Sequence, residues 1–303
     1  MTLRILITGA SGLIGSHAVQ TLHENGHRVI ALYRKLNERA SRIPWDAIQG
    51  DLLESATLRK LSSIDFDLVV HCAATIPSKF FGTEAQQAAN TNLLMDGNVV
   101  RLCAEKGRHL VYVSGTSVYG PGTGSAITEE AIVSPIGPYV AAKAESERHI
   151  LGQLPEQSTI LRVSSPYGPG QRSMNVIRRF IEQALAGVDL VYLGTGNRQQ
   201  DCISANDVGN AILSVVGNAD AVGIFNIASG TPVSMRALAE LVVRTITGTR
   251  SRVLASQQPD PQDDYRPRFD IGKALKVLRW RPQVRLDDGI RTYAEYLKTT
   301  KAM

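Results

Sequence analysis

Residues 3–35 read LRILITGASGLIGSHAVQTLHENGHRVIALYRK, and this stretch decides the fold. Residues 3–8 are a short apolar run of the kind that is buried on both faces of a parallel sheet. The amphipathic segment that follows ends at Asn25-Gly26, a typical helix C-terminus, and residues 28–33 are a second apolar run. The order strand, glycine turn, helix, strand within about 30 residues predicts a βαβ unit.

Three glycines, Gly9, Gly12 and Gly15, lie between the first strand and the helix. They meet three steric needs: a tight turn, a backbone that approaches a ligand, and close packing of helix against strand. Free amides at the start of the helix are then placed to face a pyrophosphate. The position of the motif predicts a dinucleotide site, and an ordinary glycine-rich turn is the alternative.

Apolar runs and helical patterns keep alternating after this unit, which is typical of a doubly wound α/β fold. We therefore predict a parallel Rossmann sheet with a smaller C-terminal α/β part that binds substrate. The predicted dinucleotide-binding domain spans residues 1–165 and the substrate-binding part spans 166–303, with segments near 200–227 returning to the sheet. The polar segment 257–267 predicts a surface loop. We expect the ligand in the cleft at the carboxyl edge of the sheet.

Composition limits the possible classes of function. The chain has 303 residues, 43% of them hydrophobic, and no apolar run approaches the length of about 18 residues that predicts a membrane helix. Its start lacks the features of a signal peptide. The net charge of +5 comes from scattered basic residues, so a nucleic-acid partner is not expected. Cys72, Cys103 and Cys202 are widely spaced, which predicts buried free thiols in a cytoplasmic protein and no metal site.

Tyr139 and Lys143 stand four residues apart in a segment predicted to be helical from Pro138 to about Leu151, so both project from one face. A nearby ammonium and the positive charge of an oxidised nicotinamide favour the phenolate and lower the pKa of a tyrosine from about 10. Such a pair is a proton donor and acceptor for alcohol and ketone chemistry. An exposed tyrosine near a solvated lysine is the alternative.

Hydroxyl side chains follow the predicted strand at residues 109–113. Ser114, Thr116 and Ser117 stand where this strand ends, which is the usual place for site residues in a parallel sheet. One of them is expected to polarise the substrate oxygen, although each alone is more often an ordinary turn hydroxyl.

Taken together, these residues resemble the extended short-chain dehydrogenase/reductase superfamily, in its NAD-dependent epimerase/dehydratase family. The resemblance covers nearly the whole chain. It is carried by residues 8–15 (TGASGLIG), 50–52 (GDL), 71–74 (HCAA), Asn92 and Asn98, 113–120 (VSGTSVYG), 139–143 (YVAAK), 166–169 (PYGP), Asp201 with Asp207, 225–227 (FNI) and 280–282 (WRP).

The resemblance implies a role for each matching position. Tyr139 is the acid/base, and Lys143 tunes it and holds the nicotinamide ribose. Asn92 helps to hold the central strand and helix, and Pro166 lies near the nicotinamide. The other implied cofactor contacts are Gly9, Ser11, Gly12, Leu13, Ile14, Gly15, Tyr33, Arg34, Lys35, Asp51, Leu52, Ala73, Ala74 and Val113.

The end of the second strand departs from the family pattern. NAD-preferring members place an acid where Tyr33 stands, to bond the ribose 2′-hydroxyl, whereas here Arg34 and Lys35 follow. A basic side chain suits a 2′-phosphate. We therefore predict NADP as the preferred cofactor, with NAD also possible. A solvated basic turn is the alternative.

A second departure concerns the catalytic hydroxyl. The Ser or Thr of the family's triad aligns with Gly115, so Ser114 or Thr116 has to supply this group, and we favour Thr116. His71, at the end of a predicted strand, is expected to be structural because no metal-like pattern surrounds it.

A third departure lies on the substrate side. Sugar-nucleotide members usually carry Asn where Ser165 stands and Arg where Gln200 stands, and both contact the diphosphate of the substrate. A neutral Gln removes a charge-assisted bond. The candidate substrate contacts here are Thr75, Ser165 and Arg172.

The leading hypothesis is an NAD(P)-dependent oxidoreductase or epimerase that acts on a carbinol or ketone carbon of a sugar or nucleotide sugar by hydride transfer. The alternatives are an NADPH-dependent ketoreductase on a non-nucleotide small molecule and a non-catalytic, dinucleotide-binding redox sensor. Dehydratases of the family carry Asp-Glu after the catalytic Thr, whereas Thr116 is followed by Ser117-Val118, which disfavours dehydration. Members often dimerise through helices that match residues 84–106 and 138–151, so we expect a homodimer.

Overall fold

A computed structural model describes residues 2–34, 46–121 and 123–301. The helices are α1 (Leu13–Glu24), α2 (Ser55–Ser63), α3 (Thr83–Lys106), α4 (Pro138–Gln153), α5 (Val176–Leu185), α6 (Ala205–Val215), α7 (Met235–Thr245) and α8 (Leu286–Lys301). The strands are β1 (Arg4–Thr8), β2 (Arg28–Tyr33), β3 (Asp46–Gln49), β4 (Leu68–His71), β5 (His109–Gly115), β6 (Thr123–Ile127), β7 (Ser158–Val163), β8 (Ser165–Tyr167), β9 (Leu190–Tyr192), β10 (Gln199–Gln200), β11 (Cys202–Ser204), β12 (Gly223–Ile227), β13 (Val233–Ser234), β14 (Val253–Ala255) and β15 (Arg266–Phe269). A 3-10 helix (Thr116–Tyr119) follows β5.

The main sheet is parallel throughout and has the strand order β12-β7-β5-β4-β1-β2-β3. The chain builds β2 and β3 on one side of β1 and then crosses to add β4, β5, β7 and β12 on the other side. The strand order therefore reverses between β1 and β4, and this is where α/β sheets bind their ligands, beyond the carboxyl ends of the strands. The predicted doubly wound α/β fold is confirmed.

Helices cover both faces of this sheet. One apolar core lies under α1 and α6, which pack against each other, and a second lies under α2, α3 and α4. The central strands are buried on both faces, which explains their unbroken apolar runs. Thr8, His71 and Tyr112 are register partners on the adjacent strands β1, β4 and β5, so their backbones lie side by side near the carboxyl edge.

The C-terminal part has its own apolar core, formed mainly by α5, α7 and α8. β12 pairs in parallel with β7 and so extends the main sheet. The domain division at residue 165 stays a prediction. Two smaller expectations need correction: β15 begins at Arg266, inside the segment predicted to be a loop, because this strand pairs with β6, and Cys72 is only half-buried whereas Cys103 and Cys202 are buried.

The start of α1 rests directly on the turn that follows β1. Gly9 has φ +66°, a left-handed conformation that favours glycine, and a Cβ on Gly15 would lie 2.2 Å from the Gly9 carbonyl oxygen. Only a residue without a side chain therefore lets the helix approach the strand this closely. No helix of the described residues is long and apolar enough to span a membrane.

We predict that Gly15→Ala will lower the free energy of unfolding by about 1–3 kcal/mol, because the added methyl group forces the backbone of the turn apart. Gly97→Ala is the matched control, since a Cβ at this position in α3 meets nothing within 4 Å. Replacing Gly97 should raise stability by up to about 1 kcal/mol through helix propensity. Urea unfolding of both variants checks the pair; equal stability of the two would contradict the close contact.

Candidate functional site

The glycine turn forms a cradle at the switch point of the sheet. A Cβ on Gly9 would lie 2.6 Å from the backbone nitrogen of Ala73, so β1 and the segment after β4 meet here without a side chain between them. Gly12 is the exposed N-cap of α1, which has no capping side chain and no acidic residue in its first turn. First-turn amides have no partner within the helix. The three glycines predicted to line a dinucleotide pyrophosphate therefore fit this group, and the predicted cofactor contacts Ser11, Leu13 and Ile14 lie in the same turn or at the start of α1.

The end of β2 carries the predicted ribose contacts. Tyr33 is buried, with 1% of its surface exposed, and packs in the core under α1. Its ring therefore does not take the surface position that the acid of NAD-preferring members is expected to occupy. Arg34 is exposed and forms no ion pair with any described residue. Lys35 lies outside the described residues. Of the predicted basic pair, Arg34 is thus the cation that the structure places at this edge.

Asp51 and Leu52, two of the predicted cofactor contacts, lie in the turn between β3 and α2. Asp51 accepts a hydrogen bond from the backbone nitrogen of Leu53 at 2.9 Å, which fixes its carboxylate within its own turn. Leu52 is buried, and its carbonyl oxygen accepts from the Asn98 side chain at 2.9 Å. The segment is therefore held to α3, with Asp51 at its half-exposed end.

Asn92 fixes the loop that follows β4. Its amide oxygen accepts from the Thr75 nitrogen at 2.7 Å, and its amide nitrogen donates to the Thr75 carbonyl at 3.0 Å. One side chain thereby replaces both sheet-like bonds of Thr75 and orders the path of Ala73 and Ala74 along the edge. Thr75 itself is half-buried.

Tyr139 lies in the first turn of α4 and is half-buried. Its ring packs against Phe80 with centroids 5.7 Å apart, and its hydroxyl has no hydrogen-bond partner among the described residues. Burial, with a smaller contribution from the charge of Asp96, raises the pKa of Tyr139 to about 12. The protein by itself therefore keeps this phenol protonated, opposite to the lowered pKa expected beside an ammonium and a bound nicotinamide.

Lys143 is buried one turn further along α4. Its ammonium donates to the Tyr112 hydroxyl at 2.9 Å and to the Val113 carbonyl at 3.3 Å, and it also lies 4.5 Å from the centre of the Tyr112 ring. Tyr112, rather than Tyr139, is thus the phenol that holds the ammonium. The side chains of Tyr139 and Lys143 share one helix face, as predicted, but no hydrogen bond joins them.

The two candidate hydroxyls after β5 differ in their surroundings. Ser114 is buried and donates to a Glu147 carboxylate oxygen, and the same carboxylate binds Arg162 at 2.6 Å. Thr116 opens the 3-10 helix that packs against α4, and its hydroxyl has no partner in the described part of the chain. Of the two, Thr116 keeps its hydroxyl available.

The residues that depart from the family pattern on the substrate side contact each other. The Gln200 amide donates to the Ser165 hydroxyl at 2.5 Å. Ser165 is the register partner of Cys202 where β8 pairs with β11, and Gln200 lies two residues before Cys202. Pro166 is half-buried next to Ser165 in β8, and Arg172 is exposed. No cluster of His, Cys, Asp or Glu within the described ranges is arranged to hold a metal ion.

Comparison with known proteins identifies the family of this chain. The model of the NAD dependent epimerase/dehydratase family matches residues 5–228. The chain belongs to this family. Among its relatives, the UDP-glucose 4-epimerase of Mycolicibacterium smegmatis is 28% identical over 318 residues, covering 98% of this chain and 99% of the relative. The dTDP-D-glucose 4,6-dehydratase of Mus musculus is 26% identical over 315 residues, covering 97% and 88%.

A solved structure supports the same assignment. The UDP-glucose 4-epimerase of Thermotoga maritima, solved with UDP-glucose, has a TM-score of 0.88 and 26% identity, and the match covers 98% of this chain and 99% of that chain. The resemblance inferred from the sequence is confirmed. The chain is an enzyme of the NAD-dependent epimerase/dehydratase type, and these likenesses give no support to a reductase in particular.

Sequence reasoning missed two residues of this site, Tyr112 and Asp96. Asp96 is 2% exposed and lies on the buried stripe of α3 between Asn92 and Val99. A charged residue on the apolar face of a helix was the available signal, because such a group is rarely buried without a partner. The Tyr112 hydroxyl gave no such signal, because tyrosines are common in buried strands.

We predict that Thr116→Val will lower turnover by about tenfold or more while leaving stability nearly unchanged, because its hydroxyl bonds no described residue. Ser114→Ala should instead reduce stability by about 1–3 kcal/mol through the lost bond to Glu147, with a smaller effect on turnover. Steady-state kinetics and thermal unfolding of both variants separate the two. Full turnover in Thr116→Val would remove this hydroxyl from the site.

Proposed function

We propose that the protein is a nucleotide-sugar epimerase in which Tyr139 exchanges the proton of the reacting hydroxyl. The observation that carries the proposal is that three groups gather near the carboxyl end of β5. The Lys143 ammonium bonds Tyr112 and Val113, Thr116 opens the 3-10 helix that follows the strand, and Tyr139 packs against the apolar cluster of that 3-10 helix. The names of the UDP-glucose 4-epimerases to which the chain is similar support the substrate class.

The glycine cradle would hold the dinucleotide pyrophosphate, and Ala73, Ala74, Val113 and Pro166 would line the path to Tyr139. When bound, the nicotinamide supplies hydride chemistry at a carbinol or ketone carbon. The protein's own part is acid–base: the Tyr139 oxygen takes the proton of the sugar hydroxyl and later returns it. The Thr116 hydroxyl would hydrogen-bond the substrate oxygen and so polarise and orient it.

The raised pKa of Tyr139 fits this role only if positive charge compensates for burial. Burial disfavours the phenolate, whereas Lys143 on the same helix face and the oxidised cofactor favour it. The proton-accepting form is populated above the pKa, so oxidation of a sugar hydroxyl should speed up as the pH rises toward that value. The reverse step, in which Tyr139 returns the proton to the sugar oxygen, should slow down as the pH rises.

Epimerisation is favoured over dehydration because the residues after Thr116 are Ser117 and Val118, which supply no further acid. A second candidate, reduction of a non-nucleotide ketone, is favoured by one observation. Where the family pattern places charged contacts to the substrate diphosphate, the uncharged Gln200 is bonded to Ser165. Substrate assays have to include both classes.

We predict that Tyr139→Phe will lower kcat by about 10²–10⁴-fold, because general acid–base catalysis is lost while the ring that packs on Phe80 is kept. Wild type and variant are tested with UDP-glucose, dTDP-glucose and a panel of simple ketones, with 4-epimers and reduced products separated by chromatography. Tyr296→Phe, a half-buried tyrosine of α8, is the matched control and should retain activity. Equal turnover by Tyr139→Phe and wild type on a true substrate would refute the proposal.

The preferred form of the cofactor is a separate prediction that rests on Arg34. Wild type should bind NADP more tightly than NAD, and Arg34→Ala should remove this difference by weakening NADP binding about tenfold, as expected for a lost charge-assisted bond. Arg28→Ala is the matched control, because Arg28 is exposed at the opposite end of the same strand. Calorimetric titration with NADP and NAD measures the two affinities. Comparable affinities that do not change in Arg34→Ala would contradict a 2′-phosphate contact.

A further inference from the structure

Five buried polar side chains form a continuous chain of hydrogen bonds beneath the carboxyl edge of the sheet. Lys143 bonds Tyr112 at 2.9 Å, and Tyr112 bonds one oxygen of Asp96 at 2.6 Å. The other Asp96 oxygen bonds His71 at 2.9 Å, and His71 bonds the Thr8 hydroxyl at 2.6 Å. All five are at most 6% exposed.

With His71 neutral and its proton on Nε2, the donors and acceptors of this chain have one consistent order, and both halves end at Asp96. The Lys143 ammonium donates to Tyr112, whose hydroxyl donates to the carboxylate. From the other side, the Ala73 nitrogen donates to Thr8 at 3.3 Å and the imidazole Nε2 of His71 donates to the carboxylate. Asp96 accepts at both oxygens, so ionised carboxylate is the form that satisfies every partner.

Electrostatics supports the same assignment. Burial by itself raises the pKa of Asp96, but the charge of Lys143 and the hydrogen bonds from His71 and Tyr112 outweigh burial and leave it well below its usual range. Burial and the charge of Asp96 raise the pKa of Tyr112 far above its usual value. The proton therefore stays on Tyr112, which acts as a fixed bridge between an anion and a cation.

We propose that Asp96 is a positioning residue of the active site, which through Tyr112 holds the Lys143 ammonium in place and through His71 and Thr8 holds the turn that binds the cofactor. The proposal rests on the proposed function, because it assigns Asp96 to the same Tyr139–Lys143 centre. Lys143 reaches no carboxylate of the described residues directly, so its position depends on the phenol that Asp96 orients.

A purely structural role is the competing explanation, but it does not account for where the chain ends. Buried charged networks are often no more stabilising than apolar packing of the same volume. This network joins two places that the cofactor would touch. One is the contact between Thr8 and Ala73, and the other is the ammonium of Lys143. Stability alone does not require that connection.

The test uses Tyr112→Phe, Asp96→Asn and the double variant, with Asp207→Asn as control. Asp207 is also buried and accepts two backbone hydrogen bonds, from Gln283 and Val284, but it belongs to α6. Tyr112→Phe removes a single oxygen, so the proposal stays testable if Asp96→Asn does not fold. The readouts are kcat on the substrate found in the assays above, calorimetric Kd for NAD, and thermal unfolding.

Each single variant should lower kcat about tenfold and raise the Kd for NAD about threefold, the size expected for a lost hydrogen bond to a charged group. The double variant should be no worse than the worse single variant, because Asp96 acts through Tyr112. Asp207→Asn should lose stability while kcat and Kd stay within about twofold of wild type, the usual error of additivity.

The pH profile of kcat is a readout that separates Asp96 from a buried acid elsewhere in the fold. The groups that face Asp96 are His71 from β4, Tyr112 from β5, and Lys143 and Tyr139 from α4. Since the carboxylate is the charge that raises the pKa of Tyr139, its removal in Asp96→Asn should move the limb set by Tyr139 to lower pH. Asp207→Asn should keep the wild-type profile.

Three results would overturn the inference: kcat and Kd of Tyr112→Phe within about twofold of wild type, full multiplication of the two single effects in the double variant, or a lowered kcat with an unshifted pH profile in Asp96→Asn. The proposed function fails differently, by full turnover in Tyr139→Phe. The Kd for NAD tests the positioning role even where the substrate class is wrong.

Discussion

The contact between Gly15 and the Gly9 carbonyl is the constraint on which the rest of the site depends. It lets the first helix begin against the end of β1, so that its free amides point over the carboxyl edge of the sheet. The reversal of strand order between β1 and β4 opens the crevice at the same place. Since all strands of the main sheet are parallel, residues at the ends of β1, β4, β5 and β7 meet at this one edge.

Two polar side chains of β5 each bond a different buried carboxylate. Tyr112 bonds Asp96 of α3, and Ser114, two residues later on the same face, bonds Glu147 of α4. The Glu147 carboxylate also pairs with Arg162, the register partner of Ser114 on β7. This pairing satisfies Ser114 within the core, and it explains why the hydroxyl that remains available is that of Thr116, in the 3-10 helix that follows the strand.

The family likeness and the local departures describe different parts of the molecule. The part predicted to bind the cofactor keeps the glycine turn, the Asn92 clamp on Thr75 and the Tyr139–Lys143 pair. Where the family pattern predicts charged contacts to the substrate, Gln200 and Ser165 form an uncharged contact. A neutral pair recognises a diphosphate less strongly than a guanidinium does.

Local patterns in the sequence predicted most elements of the main sheet and their order. The glycine spacing, the apolar runs and the Tyr139–Lys143 spacing are local patterns, and they predicted the bounds of β2 to the residue and those of α3 and α4 to within two. Family motifs added the roles expected of single positions. The choice between Ser114 and Thr116 remained open, because it depends on which residue Glu147 reaches.

The connections between the polar groups depend on the fold of the whole chain. Thr8, His71, Asp96, Tyr112 and Lys143 come from five different elements, and the hydrogen bonds between them link residues 63, 25, 16 and 31 positions apart. No local pattern encodes such a set, because strand register and the docking of α3 and α4 on the sheet bring the side chains together. The same burial raises the pKa of Tyr139, a shift that residue type and spacing do not reveal.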